Sequence, residues 1–369
     1  MKVLHLTSGN LFGGIETYLL ALARLRHLCP SMEPHFGVCF PGRLRDELTA
    51  AGVPVYDLGA LRVSRPWTMF RARGRLKRFL REGGFDAVVT HGTWPHAIFA
   101  PAVKRLGVRL LNAVHGELTG RHWIDRWAAR TPPDAVIANS RFTALSVAPI
   151  FPGVPVETVY LPVSPPAFDC GSARGSIRAE LGVAPETVVI LQASRLEKWK
   201  GQSVHVDALV RLKAVPGWQA WFAGGPQKPG EEEYLWELKA AAARGGIEHR
   251  VKFLGQRADV SRIMAAADVY CQPNTGPEPF GIAFIEALYA GLPIVTSSFG
   301  GALEIVTDTC GILCPPQNAE AVASALGGLI ADPLRRRRLG DAGLIRAAEL
   351  CDPPRQLASL ARVVLKVRA

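Results

Sequence analysis

The stretch Val188-Val-Ile-Leu-Gln-Ala-Ser-Arg-Leu-Glu-Lys-Trp-Lys-Gly-Gln202 opens as a β-rich apolar run, breaks into a charged loop and enters an apolar-periodic helix at Gln202. Strand, loop and helix in that order make half of a crossover unit, and the same rhythm extends from it in both directions. Downstream the runs are 219–223, 251–254, 269–272, 292–296 and 311–314. Upstream they are 3–7, 36–40, 86–90, 109–114, 134–138 and 156–160, with an apolar-periodic helical stretch over 16–28. Such alternation predicts parallel sheets with helices on both faces. The expected fold class is therefore α/β, with two Rossmann-like doubly wound domains facing a cleft.

A chain of 369 residues suits two domains, each large enough to bury its own core. The expected boundaries are an N-terminal domain over 1–165, a linker over 166–176 and a C-terminal domain over 177–351. The linker is read from Pro162, Pro165, Pro166, Gly171 and Gly175. Beyond it, 352–369 carries a helical run over 357–367 with no strand after it, which can pack back on the first domain. The seven cysteines are odd in number, scattered and set mostly in apolar runs, which reads as reduced, buried thiols in a cytosolic protein. Residues 1–7 lack the long apolar core of a signal peptide, and no apolar run reaches spanning length.

The net charge of +11 is uneven: residues 1–170 hold 20 Lys/Arg against 12 Asp/Glu. Much of the excess lies between Arg62 and Arg81, where Arg71, Arg73, Arg75, Lys77 and Arg78 interleave with Trp67, Met69, Phe70, Leu76, Phe79 and Leu80. Two readings stay open. It is the solvated side of an ordinary amphipathic helix, or it is a surface for an anionic membrane on the inner face of the cell membrane. No recognised nucleic-acid motif accompanies the charge, so a nucleic-acid partner is not expected.

The chain lacks a G-x-G-x-x-G fingerprint, a P-loop, an Asp-x-Asp pair and a His-Glu-x-x-His motif. A dinucleotide oxidoreductase, a P-loop NTPase and a metal-clamped phosphate site are thereby disfavoured. Arg195 and Lys200 sit on a loop at a strand end, where fixed cations can stabilise the charge that builds on a departing diphosphate. Glu278 stands in a Pro-flanked loop after another strand, and Glu286 follows eight residues later in a helix starting near Gly281. Eight residues is a little over two turns, so both carboxylates can face one cleft, while the amides at the helix start favour an anion. The neighbours of Glu286 are mostly apolar, and a buried carboxylate needs a partner.

These residues resemble the retaining family 4 glycosyltransferases of the GT-B fold. The resemblance spans nearly the whole chain and is most specific in Ser-Arg-Leu-Glu-Lys-Trp-Lys-Gly (194–201) and Pro-Glu-Pro-Phe-Gly-Ile-Ala-Phe-Ile-Glu-Ala-Leu (277–288). The resemblance implies that Arg195 and Lys200 bind the donor diphosphate, that Glu278 and the backbone of Phe280, Gly281 and Ile282 meet the sugar, and that Glu286 holds the ribose. By the same resemblance Gly224 and Gly225 form a turn near the nucleotide, and Arg250 and Val251 begin the segment that brackets the base. In the first half, Gly13 and Gly14 resemble the family's early glycine loop and His115 its sugar-contacting histidine, with His91 at another strand end a weaker candidate. Leu303 stands where the family commonly has proline, which leaves the rigidity of that loop open.

The resemblance implies transfer with retention from a UDP-, GDP- or ADP-sugar to a sugar or lipid-linked acceptor. It implies no cofactor beyond the donor and no metal. Two other readings remain: a sugar-nucleotide epimerase, which needs no acceptor, and a non-catalytic, membrane-associated binder of sugar nucleotides.

Overall fold

Every residue of Ala87–His91 and of Val188–Ala193 is buried, because a strand inside a parallel sheet is covered by helices on both faces and reads as a continuous apolar run. The structure, a computed structural model, describes residues 1–10 and 13–366. It divides into one unit formed by Met1–Val163 with the chain from Cys351 onward, and a second formed by Ser164–Leu350. The first unit contains β1 (Lys2–Thr7), β2 (Glu33–Val38), β3 (Val55–Asp57), β4 (Ala87–His91), β5 (Arg109–Val114), β6 (Ala135–Ala138) and β7 (Val156–Thr158). They are parallel, in the order β3-β2-β1-β4-β5-β6-β7.

The second unit contains β8 (Val188–Ala193), β9 (Trp218–Ala223), β10 (Val251–Gly255), β11 (Val269–Gln272), β12 (Ile294–Ser297) and β13 (Gly311–Cys314). Their order is β10-β9-β8-β11-β12-β13, again all parallel. The expected α/β class with two doubly wound sheets is what is found. In each sheet the order reverses once, between β1 and β4 and between β8 and β11, and ligands of open α/β sheets bind outside the carboxyl ends of strands at such a switch.

The expected linker is corrected in its second half. Residues 170–176 belong to helix Cys170–Glu180, whose start is capped by the Asp169 carboxylate accepting the Ser172 N–H at 2.8 Å. Arg178 in that helix is buried and donates to the carbonyls of Ala266, Ala184 and Thr187, and to Asp268 at 3.2 Å. Arg174 reaches Asp268 at 2.7 Å. Asp268 also accepts the Val189 N–H at 2.8 Å, so one carboxylate joins this helix to the start of β8. The helical stretch expected over 16–28 is helix Gly14–Arg24 followed by a separate tight turn at Arg26–Leu28.

Helix Pro353–Lys366 packs within the first unit: Arg109 donates to the Val363 carbonyl at 2.9 Å and Lys366 meets Glu157 at 3.2 Å. Val367, expected to end this helix, lies outside the described residues. The Val163 N–H donates to the Cys351 carbonyl at 3.1 Å, where the chain leaves the first unit and where it returns.

Candidate functional site

In the second unit the loops after β8 and β11 are pressed together by a glycine. Gly201 has φ +74°, and a Cβ there would lie 1.8 Å from the Pro273 carbonyl oxygen, so no side chain fits this approach. Across the same contact the Thr275 N–H donates to the Trp199 carbonyl at 2.8 Å. The result is that Lys200 Nζ stands 2.6 Å from Glu278 Oε2, over the face of Trp199 at 4.0 Å from the ring centroid. Glu278, 7 % exposed, also accepts from Gln272 Nε2 at 3.2 Å and Asn274 Nδ2 at 3.3 Å. Its backbone is held in turn: the Gly301 N–H donates to the Glu278 carbonyl at 2.6 Å, and Gly300, at φ +68°, lies too close to that carbonyl for a Cβ. The two glycines pin this loop, while Leu303 points to solvent from the short helix Ala302–Ile305.

Arg195 lies 2.9 Å from Glu197 Oε2, and Glu197 further accepts from the Trp199 indole at 3.1 Å and meets Lys228 at 3.2 Å. Beneath these charges is a layer of neutral polar side chains. Gln202 donates to the Arg195 carbonyl and Gln192 to the Lys200 carbonyl, each at 2.8 Å. His205 Nδ1 sits 2.9 Å from Gln192 Oε1, and the Tyr270 hydroxyl 2.8 Å from Gln272 Oε1. A buried polar layer that is mutually hydrogen-bonded holds one arrangement, which is how a loop can present two cations in fixed positions. Glu197, Gln192, Gln202, His205, Gln272 and Asn274 were not singled out from sequence. Gln192 and Gln272 alone left a trace, as polar residues closing otherwise apolar strands.

Glu286 is different. It lies on helix Ile282–Tyr289, entered through Gly281 at φ +105°, and among the described residues no hydrogen bond or ion pair reaches its carboxylate. Burial pushes its pKa from 4.5 up to about 7. Tyr270 registers both carboxylates: burial first, then Glu278 and Glu286, drive its hydroxyl pKa well up. Phe280 buries its side chain, which leaves its backbone, with Gly281 and Ile282 at the helix start, as the part able to meet a ligand.

Gly224 and Gly225 are also close-approach positions. A Cβ on Gly224 would lie 1.9 Å from the Ser194 carbonyl oxygen and one on Gly225 2.9 Å from the Gln256 nitrogen, so the ends of β8, β9 and β10 converge there. Arg250 and Val251 are not brought to this cluster. They stand at the amino end of β10, where Arg250 donates to the Val215 carbonyl at 2.7 Å and lies over Trp218. Because strands run one way in a parallel sheet, it is Gly255 and Gln256, at the other end of β10, that adjoin the glycine turn.

In the first unit Gly13 caps helix Gly14–Arg24, its N–H donating to Glu16 Oε2 at 2.9 Å, and nothing crowds the space a side chain would take. His115 follows β5, half-buried, with Nε2 2.9 Å from His91 Nδ1 and the ring of Tyr18 packed against it. Burial lowers its pKa to about 4. Asn139, after β6, donates to the His115 carbonyl at 3.4 Å.

Helix Pro66–Gly83 buries Ala72, Leu76 and Leu80. Trp67 and Phe70 are left 56 % and 66 % exposed, with Arg71 and Arg78 also in solvent. No helix among the described residues is long and apolar enough to cross a membrane.

Residues 173–345 match the family model for glycosyl transferases group 1, and residues 13–164 match that for the glycosyl transferase 4-like domain. The chain is similar to a GDP-mannose-dependent alpha-(1-6)-phosphatidylinositol monomannoside mannosyltransferase of Mycolicibacterium smegmatis, 31 % identical over 295 residues, 73 % of each chain. It is 26 % identical over 358 residues to a GDP-mannose-dependent monoacylated alpha-(1-6)-phosphatidylinositol monomannoside mannosyltransferase of Corynebacterium glutamicum, covering 90 % of this chain and 88 % of that one. Among solved structures it resembles Anabaena HepE in complex with UDP and glucose, with a TM-score of 0.85, 26 % identity and 99 % of both chains covered.

Proposed function

Because the chain belongs to the group 1 glycosyltransferases of family 4, taking sugar from a nucleotide donor, we propose that it is a retaining hexosyltransferase acting on a lipid-linked acceptor at the inner face of a membrane. The observation that carries this reading is the contrast between the two carboxylates of the second unit. Glu278 is fully engaged by Lys200, Gln272 and Asn274, whereas Glu286 is half-buried with no partner among the described residues. A carboxylate withdrawn from part of its water and given no protein donor is left open to a ligand, and the paired hydroxyls of a ribose are suited to supply two hydrogen bonds.

In the proposed reaction the bond from the sugar's anomeric carbon to the diphosphate oxygen breaks, and a bond to the acceptor hydroxyl forms on the same face. The acceptor's proton passes to the departing phosphate oxygen. Arg195 and Lys200 stabilise the charge that collects there, and they do so from fixed positions, which is where electrostatic stabilisation gains its strength. Glu278 meets the sugar hydroxyls, Gly224 and Gly225 admit the nucleotide, Leu254–Gln256 rather than Arg250 and Val251 flank the base, and Gly13, Gly14 and His115 serve the sugar and acceptor. The names of the relatives make GDP-mannose the first donor to try and UDP-glucose the second. Trp67 and Phe70, exposed beside arginines, support the membrane location.

The test is a thermal-shift screen of GDP-, UDP- and ADP-sugars followed by a transfer assay on the donor that stabilises. A donor at a hundred times its Kd should contribute about 2.7 kcal/mol. Lys200→Ala should abolish most transfer with the fold intact. Near-normal turnover in that variant, or a donor whose sugar changes with no nucleoside diphosphate released, would overturn the reading, the latter in favour of an epimerase.

A further inference from the structure

Three histidines of the first unit make a continuous chain. His5 lies within β1, His91 ends β4 and His115 follows β5. In the sheet His5 is paired with Val89, two residues before His91, and His91 with Ala113, two residues before His115. A step of two keeps each side chain on the same face, so the register builds a staircase from the sheet interior to its carboxyl edge. The rings follow it. His5 Nδ1 lies 2.9 Å from His91 Nε2, and His91 Nδ1 lies 2.9 Å from His115 Nε2. Phe36 stacks on His5 and Tyr18 lies against both His91 and His115.

Burial lowers the pKa of His5 to about 3, that of His91 well below its ordinary value and that of His115 to about 4, so all three rings are neutral at pH 7. Neutral imidazole carries one proton, and each of the two contacts needs one. Only two patterns satisfy both without an imidazolate or an imidazolium in the middle. Either every ring is protonated on Nδ1 and the chain donates from His5 toward His115, or every ring is protonated on Nε2 and it donates the other way. The far end decides between them. Among the described residues His5 Nε2 is buried with no hydrogen-bond partner, and a buried N–H without an acceptor is the rarer orphan, so the bare nitrogen belongs there. The first pattern follows, and it leaves His115 with its proton on Nδ1, the ring nitrogen that no hydrogen bond reaches among the described residues.

We propose that His91 and His5 are positioning residues whose chain of neutral rings holds His115 in the Nδ1–H form, so that it presents a hydrogen-bond donor, never an acceptor, to a sugar oxygen. This rests on the proposed role of His115 at the transferred sugar. The preference is the reverse of that of a free neutral imidazole, which favours Nε2–H, and so has a spectroscopic signature.

The experiment uses the full chain labelled with ring-15N histidine at pH 7.5. Long-range 1H–15N spectra should show three neutral rings, assigned by loss of signal in single variants, each protonated on Nδ1. His91→Phe, which keeps a buried ring, should return His115 to Nε2–H and lower kcat roughly tenfold or more with donor KM little changed. His91→Asn, whose amide N–H can stand in for Nδ1–H, should restore the His115 signal and most of kcat. Nε2–H on His115 in the wild-type spectrum, an unchanged His115 signal in His91→Phe, or a kcat loss not recovered in His91→Asn each overturns the proposal. The spectra need no turnover, so they are independent of the role assigned to His115. Full activity in His115→Ala would remove that role while leaving the chain itself intact.

Discussion

Replacing Glu286 by glutamine should stabilise the protein at alkaline pH and leave it little changed in acid. The Glu286 carboxyl has its pKa raised from 4.5 to about 7 by burial. The folded state therefore holds this proton more tightly than the unfolded state does. Stability from that proton is fully present below pH 4.5 and is lost as pH rises through 7. Linkage makes the loss about 3 kcal/mol at pH 8 and under about 1 kcal/mol at pH 5. Glutamine keeps the shape and removes the charge, so any fixed penalty of burying its amide is the same at both pH values. The stability of Glu286→Gln relative to wild type should thus rise by roughly 2.5 kcal/mol between pH 5 and pH 8, or about 5–10 °C in the Tm of a unit of this size. Calorimetric melting of both proteins at the two pH values measures it. A relative Tm that does not move with pH would refute the reasoning. By the role proposed for Glu286, nucleotide binding to the wild type should strengthen as pH rises through about 7, and binding to the glutamine variant should not.

Two further outcomes test the site and its surface. Gly201→Ala forces a side chain against the Pro273 carbonyl and should cost about a hundredfold in kcat/KM by displacing Lys200 from Glu278. Gly246→Ala, also at positive φ but with open space around it, should cost only about 1 kcal/mol of stability and no activity, so equal activity losses in the two would point to general strain. Trp67→Ser with Phe70→Ser should lower partition onto phosphatidylglycerol vesicles at least tenfold, since a buried aromatic side chain contributes roughly 1.5–3 kcal/mol. Unchanged partition would remove the membrane contact.

What could be seen in the sequence was whatever depends on local order. Apolar runs separated by helical patterns gave both sheets, and charged residues following such runs gave Arg195, Lys200 and Glu278, because loops after parallel strands share one edge. Val55–Asp57 escaped because it is three residues long and only half covered at the sheet edge. Helix Cys170–Glu180 was hidden by Gly171 and Gly175, although Asp169 as a cap with Ala173 and Ile177 four residues apart was the available signal. The amides of Gln192, Gln202, Gln272 and Asn274 belong to no spacing, since they meet only when β8, β11 and helix Gln202–Arg211 are assembled. The histidine staircase needs the register of three strands, which no pattern along one chain contains.

The hydrogen bond between Val163 and Cys351 joins the two points where the backbone changes unit, which makes Ser164–Leu350 an insertion within a discontinuous partner. During synthesis the insertion can fold as soon as it has left the ribosome. The unit that began first must wait for Pro353–Lys366 to be made before its own core is complete. Damage to helix Pro353–Lys366 should therefore leave Ser164–Leu350 sound and the earlier-made unit unfinished.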